Sequence, residues 1–149
     1  MNKNFKIFSR ILITGGAGFI GTNLIIKLLK ETSLEIYNLD KLGYASDHYA
    51  INSFLNNSEQ NFKNRYTFIK CNLFKKYEII RIVENIDPDL VIHLAAESHV
   101  DKSIDFPEDF VDSNISGTFN LLNACLNHYR SLDEIRKRTF RFLHVSTDE

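Results

Sequence analysis

Two kinds of hydrophobic pattern alternate along this chain. Short, nearly continuous apolar runs fall at 10–14 (RILIT), 35–39 (EIYNL), 66–70 (YTFIK), 90–95 (LVIHLA) and 140–146 (FRFLHVS). Runs with little polar interruption suit strands covered on both faces. Between them, apolar residues recur every three or four positions, the period of a helix with one buried side. That spacing predicts a helix over 18–30, with Phe19, Ile20, Leu24, Leu28 and Leu29 as its stripe, and a shorter one within 47–57. A third helix spans 75–85, carrying Tyr77, Ile79, Ile80, Ile82 and Val83 and stopping before Pro88. A fourth spans 108–129, with Phe110, Ile115, Phe119, Leu122 and Leu126 at helical spacing, and 130–138 adds a polar turn or short helix. Strands alternating with helices build βαβ units on a parallel sheet. The predicted fold is therefore α/β, a Rossmann-type doubly wound sheet of about five strands in a single domain over 1–149.

The strongest chemical signal follows the first strand. Gly15-Gly16-Ala17-Gly18-Phe19-Ile20-Gly21 leaves that strand and opens the first helix. Glycines at this spacing permit a tight turn, close approach of backbone to a pyrophosphate and close helix–strand packing. The helix N-terminus then presents unpaired N–H groups and a positive dipole end to phosphate. Asp40 lies 19 residues beyond Gly21, at the end of the second strand. A carboxylate there accepts from the adenosine ribose hydroxyls and repels a 2′-phosphate, which predicts NAD rather than NADP. The competing role for Asp40 is to cap the turn at Lys41-Leu42-Gly43.

Composition narrows the rest. The 149 residues carry 18 basic and 19 acidic side chains, a formal charge of -1, so no bulk attraction to nucleic acid or anionic membrane is predicted. No apolar run approaches the ~20 residues of a membrane span. The N-terminal ten residues lack the apolar stretch of a signal peptide. Cys71 and Cys125 are far apart in apolar surroundings, consistent with a reducing cytoplasm. His93, Glu97, His99 and Asp101 are metal-ligand types, but His93 falls in a buried strand and no metal is expected.

Five stretches carry a family resemblance: ITGGAGFIG (13–21), NLDKLGYAS (38–46), VIHLAAESHVDKSI (91–104), FVDSNISGTFNLLNA (110–124) and FLHVSTDE (142–149). In that order they resemble the extended short-chain dehydrogenases/reductases, and within them the dTDP-glucose 4,6-dehydratases. The resemblance implies NAD as cofactor, held by Gly15, Gly18, Phe19, Ile20 and Gly21, by Asp40, Lys41, Leu42 and Gly43, and by Asn72 and Leu73 beside the adenine. It adds Leu94, Ala95, Ala96, Glu97 and Ser98 after the fourth strand and Ser113 on the fourth helix. Ser98 and Thr147 are the implied substrate contacts, Asp148 the dehydration acid and Glu149 the base. The implied reaction converts dTDP-glucose to its 4-dehydro-6-deoxy form, in a cytoplasmic enzyme that is a homodimer at full length. Asn72 stands where many relatives carry Asp, and Gly43 where Thr is usual.

The same family oxidises the sugar with a Tyr-x-x-x-Lys pair on a helix. Here that spacing occurs only as Tyr37…Lys41 and Tyr66…Lys70, both on predicted strands, where residues four apart lie about 13 Å from each other. The chain is thus expected to be the cofactor-binding portion of such an enzyme, without the sugar-nucleotide-binding part and inactive by itself. A sugar-nucleotide epimerase or decarboxylase, or an inactive NAD-binding fragment, are the alternative readings.

Overall fold

The computed structural model describes residues 7–43, 46–58, 62–98 and 104–146. Five parallel strands form one sheet: β1 (Arg10–Thr14), β2 (Glu35–Asp40), β3 (Tyr66–Lys70), β4 (Leu90–His93) and β5 (Arg141–His144). Their spatial order is β3-β2-β1-β4-β5. The chain winds outward from β1 through β3, crosses back, and continues on the other side of β1. That reversal makes the carboxyl edge between β1 and β4 the topological switch point, where doubly wound sheets bind ligands.

The helices are α1 (Phe19–Glu31), α2 (His48–Asn57), α3 (Lys76–Ile86), α4 (Pro107–Phe110), α5 (Thr118–Ser131) and α6 (Glu134–Thr139). A π-helical segment, Val111–Gly117, joins α4 to α5 without leaving helical dihedrals, so the three form one rod. The sheet is apolar on both faces. Ile11, Ile13, Ile36 and Ile92 pack with Ile25 and Leu29 of α1 and Ile51 of α2. Leu12, Leu39 and Val91 pack with Ile79 and Val83 of α3 and Leu121 and Cys125 of α5. Alternate residues of β1 thus serve opposite layers, as the period of a strand requires.

Two expected faces differ from observation. Ile115, Phe119, Leu122 and Leu126 are exposed, and the buried side of the rod carries Gly117, Asn120, Leu121, Ala124, Cys125 and His128. This helix has two candidate faces, and the smaller, partly polar one meets the sheet. Phe19 and Ile20 of α1 are likewise exposed, at 87% and 61%, while Ile25 takes the core position.

The amino-terminal edge of the sheet is tied by charge. Asp87 ends α3 in the left-handed conformation (φ 50) and accepts from Arg10 (2.6 Å) and from Arg136 Nη1 with both carboxylate oxygens. Arg136 also reaches Asp89, which accepts the backbone N–H groups of Ser9 and Arg10. Burial alone would raise the Asp89 pKa, but these donors outweigh it and hold the carboxyl below its usual value.

At the opposite edge, buried His93 bridges two layers. Its Nδ1 meets Thr14 Oγ1 at 2.6 Å and its Nε2 meets Thr118 Oγ1 at 2.8 Å. Burial, with His144 alongside, lowers its pKa from 6.5 to about 4. The unfolded chain takes up a proton near pH 6.5, whereas folded His93 resists it until about 4. Stability should therefore be intact above pH 6.5 and fall progressively toward pH 4, by roughly 3 kcal/mol from this group. His93→Gln should lower stability at neutral pH but flatten that acid slope. Denaturant midpoints measured across the range check this, and parallel curves for the two proteins would refute it.

Candidate dinucleotide site

A cleft opens at the carboxyl ends of β1 to β4. Its floor is Gly15 and Gly18, one wall is Leu39, Asp40, Lys41, Gly43 and Ser46, and a second is Cys71, Asn72 and Leu73. Leu94, Ala95, Ala96, Glu97 and Ser113 close the remaining side.

The floor is shaped by backbone proximity. Gly15 has φ +72, and a Cβ there would lie 2.5 Å from the Ala95 nitrogen. A Cβ on Gly21 would lie 2.4 Å from the Gly15 carbonyl oxygen, and one on Gly16 would meet the side chain of Asn38. Gly18 differs. Its φ is -76, open to any residue, and a Cβ would meet only the Gly15 oxygen, at 3.3 Å. Gly15 and Gly21 thus face backbone that a Cβ would overlap and Gly16 faces side chains that would have to move, whereas Gly18 keeps a space in the cleft free.

Asp40 is 6% exposed and engages both sides of the cleft. Its Oδ2 accepts from the Ala17 N–H (3.0 Å), and its Oδ1 accepts from the Leu42 N–H (2.8 Å) and Ser46 Oγ (3.0 Å). It therefore does cap the following turn, in which Leu42 has φ 58. Two carboxylate oxygens offer about four acceptor sites, so a further donor can still be received. The Asn72 side-chain oxygen already accepts from the Phe74 N–H at 3.0 Å, which leaves it one lone pair for a further donor.

The rod holds two of the walls. Buried Asn120 donates to the Leu73 and Phe74 carbonyls, and Gly117 lets the rod approach Leu73. Asn114 exchanges two hydrogen bonds with the backbone of Glu97, whose carboxylate pairs with Lys41 across the cleft. Burial pushes the Cys71 thiol up to about 11, so it lines the wall as a neutral group.

Of the residues assigned from sequence, Gly15, Gly18, Asp40, Lys41, Gly43, Asn72, Leu73, Leu94, Ala95, Ala96, Glu97 and Ser113 converge on this cleft. Gly21 lies beneath the loop, and Leu42 contributes its backbone N–H to Asp40. Phe19 and Ile20 stand exposed at the start of α1, and Ser98 is exposed beyond Glu97. Thr147, Asp148 and Glu149 lie outside the described residues, as do His99 and Asp101. Tyr37 and Tyr66 are strand residues, as expected, and Tyr66 accepts a hydrogen bond from Asn38. Ser46, Leu39, Cys71 and Asn114 were missed. Only Ser46 had a signal, its place in the turn after Asp40.

The model of the GDP-mannose 4,6 dehydratase family matches residues 12–149. The chain belongs to that family. It is 47% identical over 139 residues to the dTDP-glucose 4,6-dehydratase of Haemophilus influenzae, covering 93% of this chain and 39% of that protein. Among solved structures it is similar to the UDP-Glc/GlcNAc 4-epimerase of Campylobacter jejuni (TM-score 0.76, 28% identity, 94% of this chain and 37% of that one). It is also similar to the dTDP-glucose 4,6-dehydratase of Bacillus anthracis in complex with NAD (TM-score 0.71, 26% identity, 94% and 38%). The chain spans about two-fifths of the length of the curated relatives it matches.

The glycine geometry separates two outcomes. Gly18→Ala should fold with a near-normal melting temperature yet bind dinucleotide at least about tenfold more weakly, because the new methyl enters the cleft. Gly15→Ala should instead cost more than about 2 kcal/mol of stability through strain and overlap. Thermal melts and calorimetry on both variants check this; equal effects of the two changes would contradict it.

Proposed function

We propose that this chain is the cofactor-binding portion of an NAD-dependent dehydratase that converts dTDP-glucose to dTDP-4-dehydro-6-deoxyglucose. The observation that carries the reading is the switch-point cleft, in which Gly18 leaves room for a pyrophosphate and the buried Asp40 carboxylate borders the ribose position. The residues present fit the group. The start of α1 offers its unpaired N–H groups to phosphate. Asp40 accepts from the ribose, and a 2′-phosphate would place a second anion beside it. Phe19 and Ile20, exposed at the start of α1, would be covered in part by a bound cofactor. The curated dehydratases at 39–47% identity support dTDP-glucose as the substrate.

When bound, NAD supplies a hydride acceptor for C4 of the sugar and then a hydride donor to C6. This chain's own residues handle the protons of the dehydration, while the C4 hydroxyl proton goes to a base outside these 149 residues. Glu149 takes the C5 proton, which the adjacent C4 ketone makes acidic, and gives a proton back to C5 when C6 has received its hydride. Asp148 gives a proton to the C6 hydroxyl, which leaves as water. Ser98 and Thr147 hold the sugar. Adjacent carboxylates fill opposite roles when their surroundings keep one protonated and one ionised. The exposed stripe of Ile115, Phe119, Leu122 and Leu126 suits a second copy, so a homodimer belongs to the proposal. A cytoplasmic setting completes it, in keeping with the free thiols Cys71 and Cys125. Among the described residues no helix is long and apolar enough to cross a membrane.

The cofactor part is tested by calorimetry. The chain should bind NAD⁺ more tightly than NADP⁺, and Asp40→Ala should weaken NAD⁺ binding and narrow the preference. Tighter binding of NADP⁺ by the unmutated chain would defeat the assignment. The activity is tested by product formation. The 149 residues supplied with NAD⁺ should not turn over dTDP-glucose, because no helical Tyr-x-x-x-Lys pair begins the C4 oxidation, and a general base alone is worth 10²–10⁴ in rate. Fusion to a relative's C-terminal portion should restore turnover. In that fusion Glu149→Gln should block dehydration while transient NADH absorbance persists. Turnover by the unfused chain would overturn this division of labour.

A further inference from the structure

We infer that Asn114 is a positioning residue for the cofactor wall, acting through the backbone of Glu97; this deepens the dinucleotide reading and rests on it. The last ladder bonds at β4 run from the Leu94 N–H to the Thr14 carbonyl (3.0 Å) and from the Val145 N–H to the His93 carbonyl (3.0 Å). Beyond them the chain leaves the sheet and must still line the cleft. At Glu97 the Asn114 side chain takes the place of a neighbouring strand. Its Oδ1 accepts from the Glu97 N–H at 2.8 Å, and its Nδ2 donates to the Glu97 carbonyl at 2.9 Å. A carboxamide carries the same donor and acceptor as a peptide group, so one side chain satisfies both.

The position of Asn114 is built for this. It lies in the π-helical segment Val111–Gly117, beside Ser113, which lines the cleft. Widened turns of this kind are uncommon and are found largely at functional sites. The consequence passes beyond Glu97, because its carboxylate reaches Lys41 on the opposite wall. Asn114 therefore fixes the spacing of two walls without touching the ligand itself.

The test compares Asn114→Ala and Asn114→Asp in the whole chain. In ligand-free Asn114→Ala, hydrogen exchange at the Glu97 amide should quicken about tenfold or more, while Ile13 and Ile92 in the sheet stay protected. NAD⁺ affinity should fall about tenfold, the effect of losing one or two net hydrogen bonds. The Asp variant adds a pH signature. Ionised, it accepts from the N–H but sets an oxygen against the Glu97 carbonyl; protonated, it donates to that carbonyl and recreates both bonds. Its NAD⁺ affinity relative to the Ala variant should therefore rise as the pH falls from about 7 to about 4, the carboxyl gaining its proton toward the acid end and earlier where the Glu97 carbonyl opposes its charge. Asp40, Lys41, His93 and the Glu97 carboxylate are common to both variants, so their titration cancels in the ratio. Unchanged Glu97 exchange in folded Asn114→Ala would overturn the inference, as would an affinity ratio flat with pH. If the unmutated chain bound no NAD⁺, the dinucleotide reading would fall, and the Glu97 exchange would still decide the role of Asn114.

Discussion

The carboxyl edge of the sheet depends on how closely backbone approaches backbone between residues 15 and 21. Ala95 passes so near Gly15, and Gly21 so near the Gly15 carbonyl, that no Cβ fits at either glycine. This proximity brings the start of α1 under the ends of β1 and β4, and so aims its free N–H groups into the cleft. It has a local cost. Asn38 Oδ1 is packed against Gly16 and is, among the described residues, the one buried side-chain polar atom without a hydrogen-bond partner. An unpaired buried acceptor costs about 1–3 kcal/mol. The close packing of the loop offsets that, and it is what gives the cleft a backbone floor.

Asp40 shows what the same constraint asks of a buried charge. A buried carboxylate is tolerated only with several donors, and here the Ala17 N–H, the Leu42 N–H and Ser46 Oγ supply them. These bonds join the glycine loop to the turn after β2. The two readings of Asp40 raised by the sequence therefore do not compete. The capping bonds orient the carboxylate beforehand, which under the proposed function reduces what a ribose hydroxyl would have to reorganise on binding.

The legible part of this molecule was written in short-range pattern. Strand positions were readable because both faces of the sheet are covered, and the glycine loop because steric need restricts Gly15 and Gly21 to one residue type. What pattern could not supply was direction. The period over 108–129 marked a helix correctly, but the rod has apolar residues on two sides, and periodicity alone does not say which meets the sheet. The side chosen carries Gly117, Asn120 and His128, because it needs close approach and hydrogen bonds to neighbouring loops rather than bulk. Asn114 was illegible for a similar reason. An asparagine within a helix gives no sign that its partner is a peptide group 17 residues earlier.

Two asparagines on one rod, 114 and 120, each secure a loop that has left the sheet. Loops bordering a cleft cannot be held by ladder bonds without closing the cleft, since a further strand would occupy the ligand's place. Side-chain amides avoid that conflict because they reach in from the side and pair with the peptide groups singly. The π-helical segment follows from the same requirement. A regular helix would present Asn114 and Ser113 at fixed angles set by 3.6 residues per turn. The widened turn alters that phase over seven residues, so that one position faces the Glu97 backbone while its neighbour faces the cleft. The irregularity of the helix and the openness of the site are thus two sides of one geometric demand.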